Sequence, residues 1–188
     1  MKTGLTPNAL TIIGFGIAVI GAVLAGFQVW IPAGLVVGFG AAFDLFDGAL
    51  ARATNTQSKL GAFMDSVFDR MGEAVVYVGI VAGMVSIMQL NGAVIAAAAM
   101  GAAFMVSYSR AKSESLGFSS GTGIANVGLA PREVRSVILV IGLIGAAFDI
   151  RFLIAVLGLI AILATITTFQ RILFVYRQKP TNQSNPTS

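Results

Sequence analysis

Apolar residues come along the chain in six blocks, each separated from the next by a short polar break. A helix needs about 20 predominantly apolar residues to cross the hydrocarbon core of a bilayer. The blocks run from about Pro7 to Gln28, Pro32 to Arg52, Leu60 to Gln89, Gly92 to Ser113, Arg132 to Ala147 and Phe152 to Tyr176. The pattern predicts an all-α integral membrane protein, a bundle of six transmembrane helices. Pro7 and Pro32 fall at predicted helix starts, where a missing N–H costs little. "LGFSSGTG", Leu116 to Gly123, reads as a loop rich in turn formers. The tail from Pro180, "PTNQSNPTS", is polar and predicted to be disordered, leaving residues 1–179 as a single helical domain and 180–188 as a tail. Val23-Leu24-Ala25 loosely resembles a signal cleavage site. The first block is long, however, and five more follow it, so it reads as a span.

Two small-residue pairs recur at four-residue spacing, Gly34 with Gly38 and Gly79 with Gly83. Such pairs let helices approach closely, either within one bundle or across a seam between two copies.

Charge orients the bundle. Six spans put both termini on one side, and eleven basic residues fall there: Lys2, Arg52, Lys59, Arg70, Arg110, Lys112, Arg132, Arg135, Arg171, Arg177 and Lys179. Only Arg151 falls on the other. Basic residues stay with the cytoplasmic loops, so both termini and the polar chemistry are expected to face the cytoplasm from a multi-pass position in the cell membrane.

Composition agrees with a membrane class: 56% of residues are hydrophobic and 11% charged. The net charge of +4 could suggest nucleic acid. In a membrane chain it is read instead as topological anchoring and contact with anionic headgroups, with no nucleic-acid partner. The chain has no Cys and no His. Disulfides, thiol nucleophiles and the commonest general base are therefore excluded. Any metal must be held by oxygen, which favours hard cations such as Mg²⁺, Mn²⁺ or Ca²⁺.

Four of the eight acidic residues crowd into one stretch, across the end of the second block and the start of the third. Asp44 and Asp47 are three apart and share a helix face; Asp65 and Asp69 are four apart and share another. Helices two and three are expected to be antiparallel neighbours, with the two pairs facing across a helix–helix groove. Four carboxylates this close repel one another unless a divalent cation, or two, supplies the missing positive charge. Their oxygens suffice for a two-metal site completed by water and phosphate. Gly48, Ala51 and Gly61 clear space beside the aspartates. Arg52 offers a planar fork for phosphate, and Ser58 and Lys59 add donors on the connection. The alternatives are a cation pathway, as in a membrane cation transporter, or interfacial acids paired with Arg52 and Arg70.

Asp44-x2-Asp47-Gly48-x2-Ala51-Arg52-x8-Gly61-x3-Asp65-x3-Asp69 resembles the complete signature of the CDP-alcohol phosphotransferases. The resemblance implies transfer of a phosphatidyl-type group from a CDP-linked lipid (CDP-diacylglycerol or an ether analogue) to the hydroxyl of a second alcohol, with release of CMP. It implies Mg²⁺ or Mn²⁺ as cofactor, in two sites. Asp44, Asp47 and Asp65 would bind metal, and Asp69 would complete the second site and act as base. Gly48, Ala51, Arg52, Ser58 and Gly61 would line the CDP site. Thr6-Pro7-Asn8 resembles the family's "TPN" start to helix one and would add nucleotide contacts, unless it is an ordinary N-cap. A homodimer is also implied. A catalytically dead scaffold would be expected to have lost a motif aspartate, and none is lost.

A second polar cluster bears on the acceptor. Arg110 and Lys112, Arg132 and Arg135, and Arg171 could form a cationic pocket for a phosphorylated alcohol, or could be positive-inside anchors. Their pattern resembles the branch of the family that uses L-myo-inositol 1-phosphate. It departs from that branch in having Arg110 before Lys112 and Ala130-Pro131 before Arg132. Glycerol 3-phosphate is the competing acceptor.

Overall fold

The computed structural model describes residues 7–54, 58–118, 124 and 127–178, with the side chains of 7–8 and 44–54 outside the described set. Among the described residues there are six helices and no strand: α1 Pro7–Gly26, α2 Trp30–Thr54, α3 Lys59–Ser86, α4 Leu90–Ser115, α5 Arg132–Ala146 and α6 Ile150–Arg177. Each begins and ends within about three residues of its predicted block. Three of them contain stretches long and apolar enough to cross a membrane: Ala9–Gly26, Leu90–Ser115 and Ile150–Arg177. Their outward faces carry large apolar side chains such as Ile12, Val94, Ile162 and Phe169, which a membrane protein turns toward lipid. Thr6, residues 119–123 and the tail 180–188 lie outside the described residues.

Three tight turns close α1 onto α2, α3 onto α4 and α5 onto α6. The first two are built alike. Gln28 and Met88 both adopt the left-handed conformation, with φ of 58°. The N–H groups of Val29 and Gln89 then reach back to the carbonyls of Leu24 and Met84. This satisfies carbonyls that a helix end would leave open. At the third turn, the Asp149 carboxylate caps α6 by accepting from the Arg151 N–H at 2.8 Å.

The helices pack as a ring in the order α1, α3, α4, α6, α5, α2 and back to α1. The expectation that helices two and three are direct neighbours does not hold among the described residues. α1 packs against both and lies between them. Small residues are the reason. Gly79 and Gly83 bring α3 onto the backbone of α1 at Ala22 and Ala25, and Gly72 faces Ala18. Gly21 and Gly40 likewise seat α1 on α2 at Val37 and Ile17. Gly34 and Gly38 meet Ile144 and Val140 of α5. Both four-residue pairs are therefore seams within one bundle.

A Cβ at Gly79 would overlap the Ala22 carbonyl, which is backbone and cannot rotate away. Gly79→Val is expected to destabilise the bundle by about 3 kcal/mol, seen as a lower unfolding temperature of the purified protein. A variant melting with the wild type would show that this seam is not tight.

The apolar core gathers toward the turn end, around Ala25, Trp30, Ile80, Met84, Leu143, Leu153 and Leu157. Asp65, Asp69, Glu114 and Glu133 lie toward the opposite end, where α2 and α4 finish and α3 and α5 begin, and Glu73 lies midway along α3.

Candidate functional site

The site starts from the cap of α3. The Ser58 hydroxyl accepts from the Gly61 N–H at 2.9 Å, starting the helix cleanly. From that start, Asp65, Asp69 and Glu73 follow at four-residue intervals, about 6 Å apart along the axis, on one face. Asp65 and Asp69 line a small cavity with Thr11, Phe15, Phe68 and Gly72. Phe15 and Phe68 close its side in an edge-to-face contact, with ring centroids 5.4 Å apart. Across the bundle, Asp44, Asp47, Gly48, Ala51 and Arg52 occupy the last turns of α2; their side chains, like those of Pro7 and Asn8, lie outside the described residues. The backbone thus puts both aspartate pairs at the same end of the bundle, where α2 and α3 face one cavity beside α1.

α5 reaches the α3 acids with two arginines. Arg132, in its first turn, approaches Asp69 Oδ2 at 2.6 Å, and Arg70 stands 3.7 Å from the same oxygen. One turn further along, Arg135 meets Glu73. Its Nη2 donates to both carboxylate oxygens, at 2.9 and 3.0 Å, and its Nε to Oε1 at 3.1 Å. Its Nη1 donates to the Ala130 carbonyl at 2.9 Å. Arg135 is 1% exposed and Glu73 13%. The two pairs form parallel rungs, the Asp69 rung half-open to solvent and the Glu73 rung buried.

Arg171 sits elsewhere. It is buried in α6, with Nε donating to the Val127 carbonyl at 3.0 Å and Nη1 to the Val106 carbonyl. Thr167, one turn earlier, accepts from the N–H groups of Leu129 and Ala130 through its hydroxyl, at 3.1 and 3.0 Å. Together they fasten the segment before α5 onto α6. Gly128 in that segment has φ of +124°, and a Cβ there would overlap the Thr167 methyl, so only glycine fits. Arg110 pairs with Glu114 at 2.8 Å on the exposed face of α4, and Lys112 is exposed beside it.

The five basic residues predicted as one acceptor pocket are therefore divided. Arg132 points to the aspartates, Arg135 and Arg171 hold protein groups, and Arg110 and Lys112 lie on the surface. Glu73 was not singled out by the sequence reading. Its signal was the continued i, i+4 spacing after Asp69.

The donor set suits a hard divalent cation. Two carboxylates on α3 line a cavity, two more stand at the end of α2, and the chain has no His or Cys. No three acids converge among the described side chains, a set that excludes those of Asp44 and Asp47.

A family model for CDP-alcohol phosphatidyltransferases matches residues 4–170. The archaetidylinositol phosphate synthase of Pyrococcus horikoshii is 38% identical over 174 residues, 90% of this chain and 82% of that protein. The fold matches the phosphatidylinositol phosphate synthase of Mycobacterium tuberculosis crystallised with CDP-DAG bound. There the TM-score is 0.82 at 26% identity, over 94% of this chain and 89% of that one. The same enzyme crystallised with manganese and citrate matches with a TM-score of 0.84 at 26% identity, over 94% of this chain and 85% of that one. By the extent of the family match and the identity to its members, the chain belongs to the CDP-alcohol phosphatidyltransferase family.

Proposed function

We propose that this protein transfers the phosphatidyl-type group of a CDP-linked lipid to a hydroxyl of a phosphorylated polyol, L-myo-inositol 1-phosphate, and releases CMP. The observation that carries the reading is the α3 face, where Asp65 and Asp69 line a cavity and Arg132 stands over Asp69. The names of the relatives support the acceptor: both a diacyl-lipid and an archaeal synthase in the comparison make an inositol phosphate lipid.

In the reaction, the acceptor oxygen forms a bond to the lipid-side phosphorus of the pyrophosphate. The bond from that phosphorus to the bridging oxygen breaks, and its electron pair leaves with CMP. Asp69 takes the proton from the attacking hydroxyl; with no His in the chain, a carboxylate is the base at hand. Asp44, Asp47, Asp65 and Asp69 would hold Mg²⁺ or Mn²⁺. When bound, the ions neutralise the pyrophosphate and the charge developing on CMP. Gly48, Ala51, Arg52, Ser58 and Gly61 line the nucleotide side, with Thr6, Pro7 and Asn8 nearby. Arg132, set at the mouth between solvent and Asp69, receives the acceptor phosphate as a planar fork. Arg110 and Lys112 draw the anion inward, while Arg135 and Arg171 keep α5 and α6 in register.

Residues 1–179 form one domain of six transmembrane helices, α2, α3 and α5 completing the set, with both termini and the site on the cytoplasmic side of the cell membrane. The asymmetry of eleven basic residues to one supports this orientation. The protein works as a homodimer. A cation pathway is the weaker reading, because it calls for acids through the depth of the bundle. Here Asp65 and Asp69 sit toward one end with Asp44 and Asp47, the mid-helix Glu73 is neutralised by Arg135, and Asp149 caps α6 at the other end.

The test is CMP release by purified protein given CDP-diacylglycerol or its ether analogue, with inositol 1-phosphate, glycerol 3-phosphate, inositol or serine as acceptor. Release is expected with inositol 1-phosphate, to be abolished by chelation and restored by Mg²⁺ or Mn²⁺. Faster release with glycerol 3-phosphate would overturn the acceptor assignment, and silence with every acceptor would overturn the reaction.

A further inference from the structure

A second cavity lies one step deeper than the carboxylates, beside the first. Its volume is about 60 Å³. Gly14 and Gly72 line both cavities, so the two adjoin. One wall is small and apolar: Ala18, Val37, Gly40 and Ala41. The other is mixed: Glu73 and Tyr77 from α3 and Arg135 and Ser136 from α5 stand beside Val76 and Leu139. Tyr77 is 1% exposed, yet its hydroxyl has no hydrogen-bond partner among the described residues. A buried phenol left in that state destabilises the free protein, and such orphans call for an explanation. Glu73 takes three hydrogen bonds from Arg135, and two of them fall on Oε1. A carboxylate offers about four acceptor positions, so Oε2 keeps room for a further donor.

We propose that Tyr77 and Glu73, with Ser136 on the facing wall, form a hydroxyl-reading subsite that takes the far hydroxyls of the polyol acceptor. The inference rests on the acceptor class proposed above and extends it to residues outside the family signature. α3 runs inward from the carboxylate end, and helical side chains lean back toward the N-terminus. The Tyr77 phenol therefore rises toward Glu73 and the acceptor. A polyol hydroxyl both donates and accepts, so it can give its proton to Glu73 and receive that of Tyr77. A lipid chain could do neither and would leave these polar groups unsatisfied. The flat glycine and alanine wall leaves space for a ring. A short acceptor such as glycerol 3-phosphate, with its phosphate at the mouth, does not extend to Tyr77.

The test uses the full-length purified protein and its Tyr77→Phe and Ser136→Ala variants. Tyr77→Phe is expected to melt at or above the wild-type temperature, because it removes an orphan. It should raise KM for inositol 1-phosphate about tenfold, the worth of one well-made hydrogen bond. KM for the CDP-lipid should not move, and neither should KM for any glycerol 3-phosphate turnover. Calorimetric titration with inositol 1-phosphate alone, without donor, should show the same loss of affinity. Ser136→Ala should raise the same KM severalfold. If both variants keep wild-type KM and affinity for inositol 1-phosphate, the cavity holds water and the subsite is refuted. Equal rises in donor and acceptor KM also overturn it, since they mark general loosening. A wild type that neither binds nor uses inositol 1-phosphate overturns the acceptor reading, and this inference with it.

Discussion

Arg135→Ala is expected to cost about 3–5 kcal/mol of stability, the usual penalty for removing one partner of a buried ion pair. The reason is local. Arg135 is 1% exposed and makes three of its hydrogen bonds to Glu73. Alanine would leave the Glu73 carboxylate 13% exposed without its cation, and the Ala130 carbonyl without its donor. Arg135→Lys should recover only part of the loss, because an ammonium cannot reproduce the two-pronged geometry. The double variant Glu73→Leu with Arg135→Met should be nearly as stable as the wild type, since no charge is left buried. Thermal unfolding of the four proteins, read beside their kinetics, checks the argument. If Arg135→Ala melted with the wild type and raised only the acceptor KM, Arg135 would belong to the acceptor phosphate after all.

Asp69→Asn is expected to lower kcat about 10²- to 10⁴-fold, the usual worth of a positioned general base, while leaving the fold intact. The Arg132–Asp69 pair is 31% and 19% exposed at its two side chains. A pair this open to solvent contributes under about 1 kcal/mol. An asparagine oxygen can still accept from Arg132. Activity and stability therefore separate at Asp69 and move together at Arg135, although both residues sit in rungs of one α3–α5 ladder. CMP release and unfolding temperature measured on the same preparation would show it. Full activity in Asp69→Asn would remove this carboxylate from the chemistry.

The two arginines also show how far the sequence could be read. Arg132 and Arg135 are three apart on one helix face, so spacing alone assigns them one job. The fold separates them by depth. Arg132 sits in the first turn of α5, near solvent, and Arg135 sits one turn inside, where an unpaired charge is untenable and Glu73 must answer it. Glu73 went unnoticed because the signature ends at Asp69, although its i+4 spacing continues the same face. Arg171 is a similar case. Its sequence neighbourhood suits a phosphate contact, whereas in the bundle its guanidinium closes on the carbonyls of Val106 and Val127.

Some properties were set by sequence alone because their causes are local or compositional. Six apolar blocks give six helices, since a buried backbone must satisfy its own hydrogen bonds. The absence of His and Cys leaves oxygen as the available ligand for a metal. The spacing of Asp65 and Asp69 puts both on one face by helical geometry alone. The four-residue glycine pairs announced close helix contact. The identity of the contacting helix belonged to the tertiary structure, as did the place of α1 between α2 and α3. The pairing of Arg135 with Glu73, 62 residues apart in the chain, and the burial of Tyr77 beside an open cavity were decided there too. These depend on which side chains share a low-dielectric interior, and that follows only from how all six helices close into one ring.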